Sequence, residues 1–129
     1  MLIPYICHPY TSDPDGNKER AKKKIVEIYT KTREKYKDSF EGECYWAFDQ
    51  FSDLVFGFCP LLAIPDSLDQ DKLSRDETLL ICMGIMSRCD EVWVCSRTLS
   101  DGMIAELKLA QILGKKICYY VDFDFEKSV

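Results

Sequence analysis

A chain of 129 residues, 47% apolar and carrying a net charge of −5, is the size of one domain around one core, so residues 1–129 are expected to form a single unit. Its apolar runs are too short to span a bilayer, and MLIPYICHPY has neither a basic flank before an apolar stretch nor a small-residue cleavage site, which predicts a cytoplasmic protein without membrane contact. The charge is uneven: Lys18 to Lys37 holds nine basic and three acidic residues, net +6, against −11 for the remainder.

Leu2 to Cys7 predicts a first strand, and HPYTSDPDGN after it is a turn-forming segment that leads into a basic helix from about Asn17. In that helix Ala21, Ile25, Ile28, Tyr29, Thr32 and Tyr36 make an apolar stripe at helical spacing, which leaves the lysines on the opposite face. A solvated helix face therefore outweighs a nucleic-acid surface, and no interleaving of aromatic and basic residues supports a nucleic-acid polymer as partner.

Cys44, Phe48, Phe51 and Val55 repeat at helical spacing and predict a second helix over 43–56, with Gly57 as its stop. Phe58 to Ile64 predicts a strand ending at Pro65, and Pro60 argues for an edge position. An acidic loop, DSLDQD, precedes a helix from Ser74 to Arg88. Glu91 to Cys95 and Lys116 to Val121 supply two more strands, joined by a helix over Ser100–Leu113 with Gly114 after it; the tail FDFEKSV is left open.

Seven cysteines stand at 7, 44, 59, 82, 89, 95 and 118 with no C-x-x-C pair, and one histidine is available. That spacing suits neither a zinc site nor a closed disulfide framework, so core packing is preferred to metal or redox work, with no metal and no cofactor expected.

Strands alternating with helices signal an α/β fold with a mostly parallel sheet, here of four to five strands. Strands near 2–7, 58–64, 91–96 and 116–121 with right-handed crossovers give a doubly wound order 2-1-3-4, with ligands bound beyond the carboxyl ends of the first and third strands. The loops Cys7 to Asn17 and Ser96 to Gly102 converge there. Ser100 caps the following helix, Gly102 allows close backbone approach, and Glu106 projects one to two turns further in. Taken alone, Glu106 reads sooner as a surface or salt-bridged carboxylate than as a functional one. The aromatic set Phe40, Tyr45, Trp46, Phe48, Phe51, Phe56 and Phe58 reads as core or a dimer face before a base-stacking wall.

YICHPY near the start, CDEVWV, and S-x-G-M-x-x-E (Ser100, Gly102, Met103, Glu106) followed by Ala110 resemble, in combination, the nucleoside 2-deoxyribosyltransferase superfamily. That group includes the deoxynucleoside 5′-monophosphate N-glycosidases, and the resemblance is strongest to a phage and bacterial branch. It covers nearly the whole chain. It implies a three-layer, flavodoxin-like (Rossmann-like) sheet and cleavage or transfer at the N-glycosidic bond of a 2′-deoxynucleoside or its monophosphate. Glu106 matches the nucleophile, Ser100 and Gly102 the phosphate or sugar contact, and Tyr5, His8, Pro9 and Tyr10 the first-strand motif, where His8 replaces a usually small residue. The resemblance further implies a homo-oligomer in which a neighbouring subunit completes the site.

Members with established chemistry carry an aspartate eight residues before the strand's own aspartate. Here the latter is Asp90, and counting back eight gives Cys82, which cannot protonate a leaving base. Asp76, Glu77 or Asp101 is then the candidate acid, and Asp90 is either a turn cap or a catalytic or ligand-orienting group. A non-catalytic nucleotide-binding module is the alternative to an enzyme. A flavin carrier fits less well, because the first loop lacks a Ser/Thr-rich phosphate cradle.

Overall fold

The computed structural model describes residues 1–10, 12–34, 53–63, 73–121 and 124–128. Their elements run β1 (Pro4–Cys7), α1 (Pro14–Arg33), α2 (Pro60–Ala63), α3 (Arg75–Met86), β2 (Glu91–Val94), α4 (Asp101–Ile112), β3 (Ile117–Val121) and β4 (Asp124–Ser128). The result is an α/β fold in which β1, β2 and β3 lie parallel and β4 returns antiparallel to β3. The tail left open by the sequence thus closes one edge of the sheet. No helix among the described residues is long and apolar enough to cross a membrane.

The period-2 alternation of strand side chains divides the core into two layers. Tyr5, Cys7, Val92, Val94 and Ile117 face α3 and α4, where they meet Cys82, Met86, Met103 and Ala110. Ile6, Trp93, Cys95, Cys118 and Tyr120 face the other way, toward Ala21, Ile25 and Ile28 of α1. The stripe predicted for the basic helix is therefore its buried face, although Tyr36 lies outside the described residues. All six described cysteines are buried, and none of them forms a disulfide with another described residue.

Local chemistry accounts for the helix boundaries. Asp13 caps α1, with Pro14 at its first position, where a missing amide proton is harmless. Ser74 and Glu77 form a reciprocal capping box at the start of α3. Ser100 accepts from the Met103 amide at 3.2 Å and starts α4. Gly114, at φ 67°, ends the last helix in the left-handed region that glycine enters without steric penalty.

Two expectations are corrected around residue 57. The helix predicted over 43–56 lies outside the described residues up to position 52, but its last part is extended. Leu54 accepts from the Leu2 amide (2.7 Å) and the Phe58 amide donates to Pro4 (2.8 Å), which sets the segment parallel to β1 on its free edge. The edge strand expected over 58–64 thus comes earlier in the chain, and Pro60–Ala63 turns into the short helix α2, with Pro60 at its start rather than in a ladder.

Gly57 is consequently not a helix stop. A Cβ there would sit 2.6 Å from Cγ1 and Cδ1 of the buried Ile6, so the absence of a side chain lets the edge segment close against β1. Gly57→Ala is expected to lower stability by about 1–3 kcal/mol through overpacking. An unchanged urea midpoint would show that Ile6 has room to move.

Candidate active site

Beyond the carboxyl ends of β1 and β2, where α1 and α4 depart to opposite faces of the sheet, lies a cavity of about 730 Å³. It falls within the range of roughly 300–1,000 Å³ that small-molecule sites occupy. The two loops expected to converge do so: His8 and Tyr10 enter from one, and Leu99, Ser100, Asp101 and Gly102 from the other. Glu106 projects into the cavity from the second turn of α4, because position 106 falls on the same helical face as Met103 and Ala110, which anchor α4 to the sheet.

The Glu106 carboxylate accepts a hydrogen bond from the hydroxyl of Tyr5. Tyr5 is wholly buried in β1, so its ring cannot withdraw and the carboxylate is held at a fixed point. Burial raises the Glu106 carboxyl from its ordinary 4.5 to about 7, and the Tyr5 hydrogen bond opposes that rise. Tyr5 in turn is pushed strongly upward, by burial first and by the Glu106 charge second, and so remains a proton donor at any physiological pH.

Cys82 reaches the same spot from α3 and lies within hydrogen-bond reach of the Tyr5 hydroxyl. Burial raises its thiol, with the Glu106 charge adding to the rise, so a neutral S–H occupies the position from which the sequence resemblance leads one to expect a carboxylic acid. Asp101 is the other carboxyl group among the residues lining this cavity. Asp76 and Glu77 are exposed at the start of α3, and Glu77 is occupied by the capping box.

Several assignments change. Asp90 does not reach the cavity: it precedes β2, at the opposite end of the sheet, and its carboxylate accepts from the Ile3 amide at 2.7 Å while its own amide donates to Ile3. It is a clasp between strand beginnings. Tyr5 is not a surface for substrate but the partner of Glu106. Met103 lines the cavity, yet at 1% exposure it serves mainly as core. Pro9 borders a second, smaller cavity instead. Gly102 has only the Ser100 hydroxyl within 4 Å of where a Cβ would stand, so no neighbouring protein atom requires glycine there.

His8 is buried at the junction of both cavities. Its Nδ1 lies 2.9 Å from the Pro9 carbonyl, which can only accept; Nδ1 therefore carries the proton, and in the neutral ring Nε2 is an acceptor. Burial lowers the His8 pKa, and the Arg20 and Lys24 charges lower it further against the Pro9 hydrogen bond.

Arg75, weighed in the sequence as an anion contact against a plain surface arginine, lines the cavity with Cys82. Thr78 and Leu79, which the sequence reading passed over, join them, and their spacing of four and three residues back from Cys82 was the available signal. Lys18, with its ammonium 5.7 Å from the centre of the Tyr10 ring, adds a second cation to the rim. Of the proposed aromatic wall, Phe40 to Phe51 lie outside the described residues. Phe56 and Phe58 are exposed, and Phe56 packs edge-on to Tyr29 at 5.7 Å.

In comparisons with known proteins, the model of a family described as a domain of unknown function, DUF7768, matches residues 44–120. No curated protein and no solved structure matches the chain.

Proposed function

We propose that this chain, which belongs to the DUF7768 family, cleaves or transfers the N-glycosidic bond of a 2′-deoxynucleoside or its 5′-monophosphate, with Glu106 as nucleophile. The observation that carries the reading is the Tyr5–Glu106 pair: a carboxylate fixed by a buried tyrosine and aimed into a cavity large enough for a nucleoside. The resemblance of the first-strand, CDEVWV and S-x-G-M-x-x-E motifs to the nucleoside 2-deoxyribosyltransferases adds the reaction class. The parallel strands, with segment 54–58 on the free edge of β1, fit a flavodoxin-like order 2-1-3-4.

In the first step a Glu106 oxygen bonds to C1′ of the deoxyribose, and the C1′–N bond breaks with its electron pair going to the base. The leaving base takes its proton from water admitted to the cavity, since Asp101, the other carboxyl group lining it among the described residues, is exposed at the start of α4. In the second, water or an acceptor base attacks C1′, and Glu106 leaves as carboxylate. The Ser100-capped amino terminus of α4 and the cations Lys18 and Arg75 favour an anionic substituent on the sugar.

Incubation with a panel of deoxynucleosides and deoxynucleoside monophosphates, with and without an acceptor base, is expected to release free base. Glu106→Ala should reduce the rate on the order of a thousandfold or more. Equal release by that variant would remove the assignment. A second reading, a nucleotide-binding module without turnover, draws on the neutral Cys82 thiol beside Glu106. Calorimetric saturation by a nucleotide with no base released from any member of the panel would favour it.

A further inference from the structure

On the α1 side of the same sheet edge is a second crevice of about 270 Å³, bordered by His8, Pro9, Asn17, Arg20, Lys23, Lys24, Glu27, Cys95 and Ser96. Neither the deoxynucleoside chemistry nor the packing of α1 makes use of it. Asn17, Arg20, Lys24 and Glu27 follow one another at three or four residues along α1, on the flank of the stripe that Ala21, Ile25 and Ile28 bury. The basic residues that appeared in sequence as a solvated helix face are thus partly turned into a concave wall.

Three cations and one carboxylate border this space, a net charge of +2 with His8 neutral. A narrow cleft lined by one sign of charge concentrates counter-ions more strongly than the same charges on a convex surface. The cations are positioned. Arg20 is held by Asp13 at 2.9 Å and by Asn17 Oδ1 at 2.8 Å, and the buried Asn17 is itself anchored to the Tyr10 carbonyl at 3.0 Å. Lys24 lies 5.5 Å from the centre of the Tyr120 ring and 3.6 Å from Glu27 Oε2. Glu27 Oε2 is buried with the Lys24 ammonium as its ion-pair partner, which holds Lys24 at this wall.

We propose that this crevice is a second ligand site, separate from the Glu106 cavity, which binds a phosphate-class oxyanion through Arg20, Lys23 and Lys24 with His8 at its back. Its volume lies just below the usual range of roughly 300–1,000 Å³ for drug-sized ligands, which suits a small tetrahedral anion better than an organic molecule. Charge-assisted hydrogen bonds from a guanidinium and two ammonium groups are the chemistry that recognises such an anion.

His8 gives the site a reporter. The positive charges of Arg20 and Lys24 help to hold its pKa down, and a bound anion between them offsets that effect. Binding therefore raises the His8 pKa, and by linkage an anion of fixed charge binds more tightly as the pH falls through that pKa. The other charged groups near His8 are Lys23 and Glu27 in this crevice, and Lys18, Arg75, Asp101 and Glu106 in the larger cavity. None of them needs to change protonation for the effect.

His8 is the single histidine of the chain, so its imidazole resonances report on the crevice without assignment ambiguity. Titration with inorganic phosphate at constant ionic strength, balanced with sodium chloride, is expected to shift these resonances saturably and to raise the His8 pKa. The double variant Arg20→Gln, Lys23→Glu should weaken phosphate binding at least tenfold while leaving the circular dichroism spectrum unchanged. A Lys23→Glu single variant, altering an exposed side chain, provides the same test if the double variant does not fold. A shift that chloride reproduces, that does not saturate, or that survives in the variants would overturn the proposal.

Glycerol phosphate and a deoxynucleoside monophosphate distinguish the source of the anion. Free phosphate binding more tightly than either ester identifies an inorganic ligand, and tighter binding of glycerol phosphate identifies a phosphomonoester. A response confined to the nucleotide and insensitive to the Arg20 and Lys23 changes would assign the signal to the Glu106 cavity and remove the second site. Base release plays no part in this measurement, so its outcome is independent of the glycosidic reading.

Discussion

Glu106→Gln is expected to make the protein more stable at pH 8 and, on the glycosidic reading proposed above, to abolish base release in the same step. The carboxyl titrates near 7 in the fold against an ordinary 4.5, because burial disfavours its charged form more than the Tyr5 hydroxyl favours it. Between those two values the folded state binds more protons than the unfolded one, so the stability associated with Glu106 is fully present below about pH 4.5 and lost as the pH rises through about 7. A shift of this size corresponds to a loss on the order of 3 kcal/mol above pH 7.

Glutamine keeps an oxygen that accepts from Tyr5 and carries no charge to desolvate. Urea midpoints measured from pH 4.5 to pH 8.5 should therefore diverge, the variant gaining over the native chain as the pH rises. Parallel curves would mean that the carboxylate is better solvated than its position indicates. On the glycosidic reading proposed above, base release should have the reverse pH dependence, since Glu106 would attack in its ionised form. About half is ionised at pH 7 and about nine-tenths at pH 8, so kcat/KM is expected to climb across that interval. Destabilisation at the pH of activity is the usual cost of a desolvated functional carboxylate.

The site was legible where spacing along one element fixes geometry. S-x-G-M-x-x-E placed a cap and a carboxylate on one helix, and the observed Ser100 cap and cavity-facing Glu106 follow from 3.6 residues per turn, whereas Met103, expected to touch substrate, is mainly core. Tyr5 was seen as a motif residue but not as the partner of Glu106, because that bond joins positions 101 residues apart. Only the parallel pairing of β1 with β2, Tyr5 opposite Val92, brings Tyr5 under α4.

Asp90 was left between a turn cap and a catalytic or ligand-orienting group, and the strand decides for the first. CDEVWV looks like one motif, but β2 carries its two ends to opposite ends of the sheet, and the acidic end lies away from the cavity. The segment near Gly57 was misread because a periodic apolar pattern does not distinguish a helix that ends there from an extended run that pairs with β1. Cys82 was singled out by counting, and it lines the cavity. What it touches, a tyrosine hydroxyl from the neighbouring strand, was not accessible by counting.

Trp93→Ala should cost about 3–5 kcal/mol, the range for truncating a large buried aromatic residue. Trp93 stands at the centre of the α1 face of the sheet, opposite Ile6 of β1 and Cys118 of β3, and is 1% exposed. Its ring stacks on Tyr120 at 5.8 Å, and its Nε1 donates to Glu91 Oε1 at 2.8 Å. Alanine removes the stack, opens a cavity beneath α1 and takes the donor from a half-buried carboxylate. Trp93→Phe retains most of the volume and loses the Nε1 bond, which is worth about 1–3 kcal/mol when its acceptor is charged.

Since domains of this kind are stable by only about 5–15 kcal/mol, the alanine variant should melt at a markedly lower temperature and the phenylalanine variant should fall between. The order alanine, phenylalanine, native is the informative result. Val94→Ala, on the opposite face of the same strand, provides the contrast: it loosens the contact with α3 and α4 instead and should disturb the Tyr5–Glu106 pair. Trp93→Ala should lower stability while leaving the apparent pKa of Glu106 in place, because the sheet separates the two layers. A large shift of that pKa in Trp93→Ala would show that α1 and α4 are coupled through the strands rather than packed independently on their two faces.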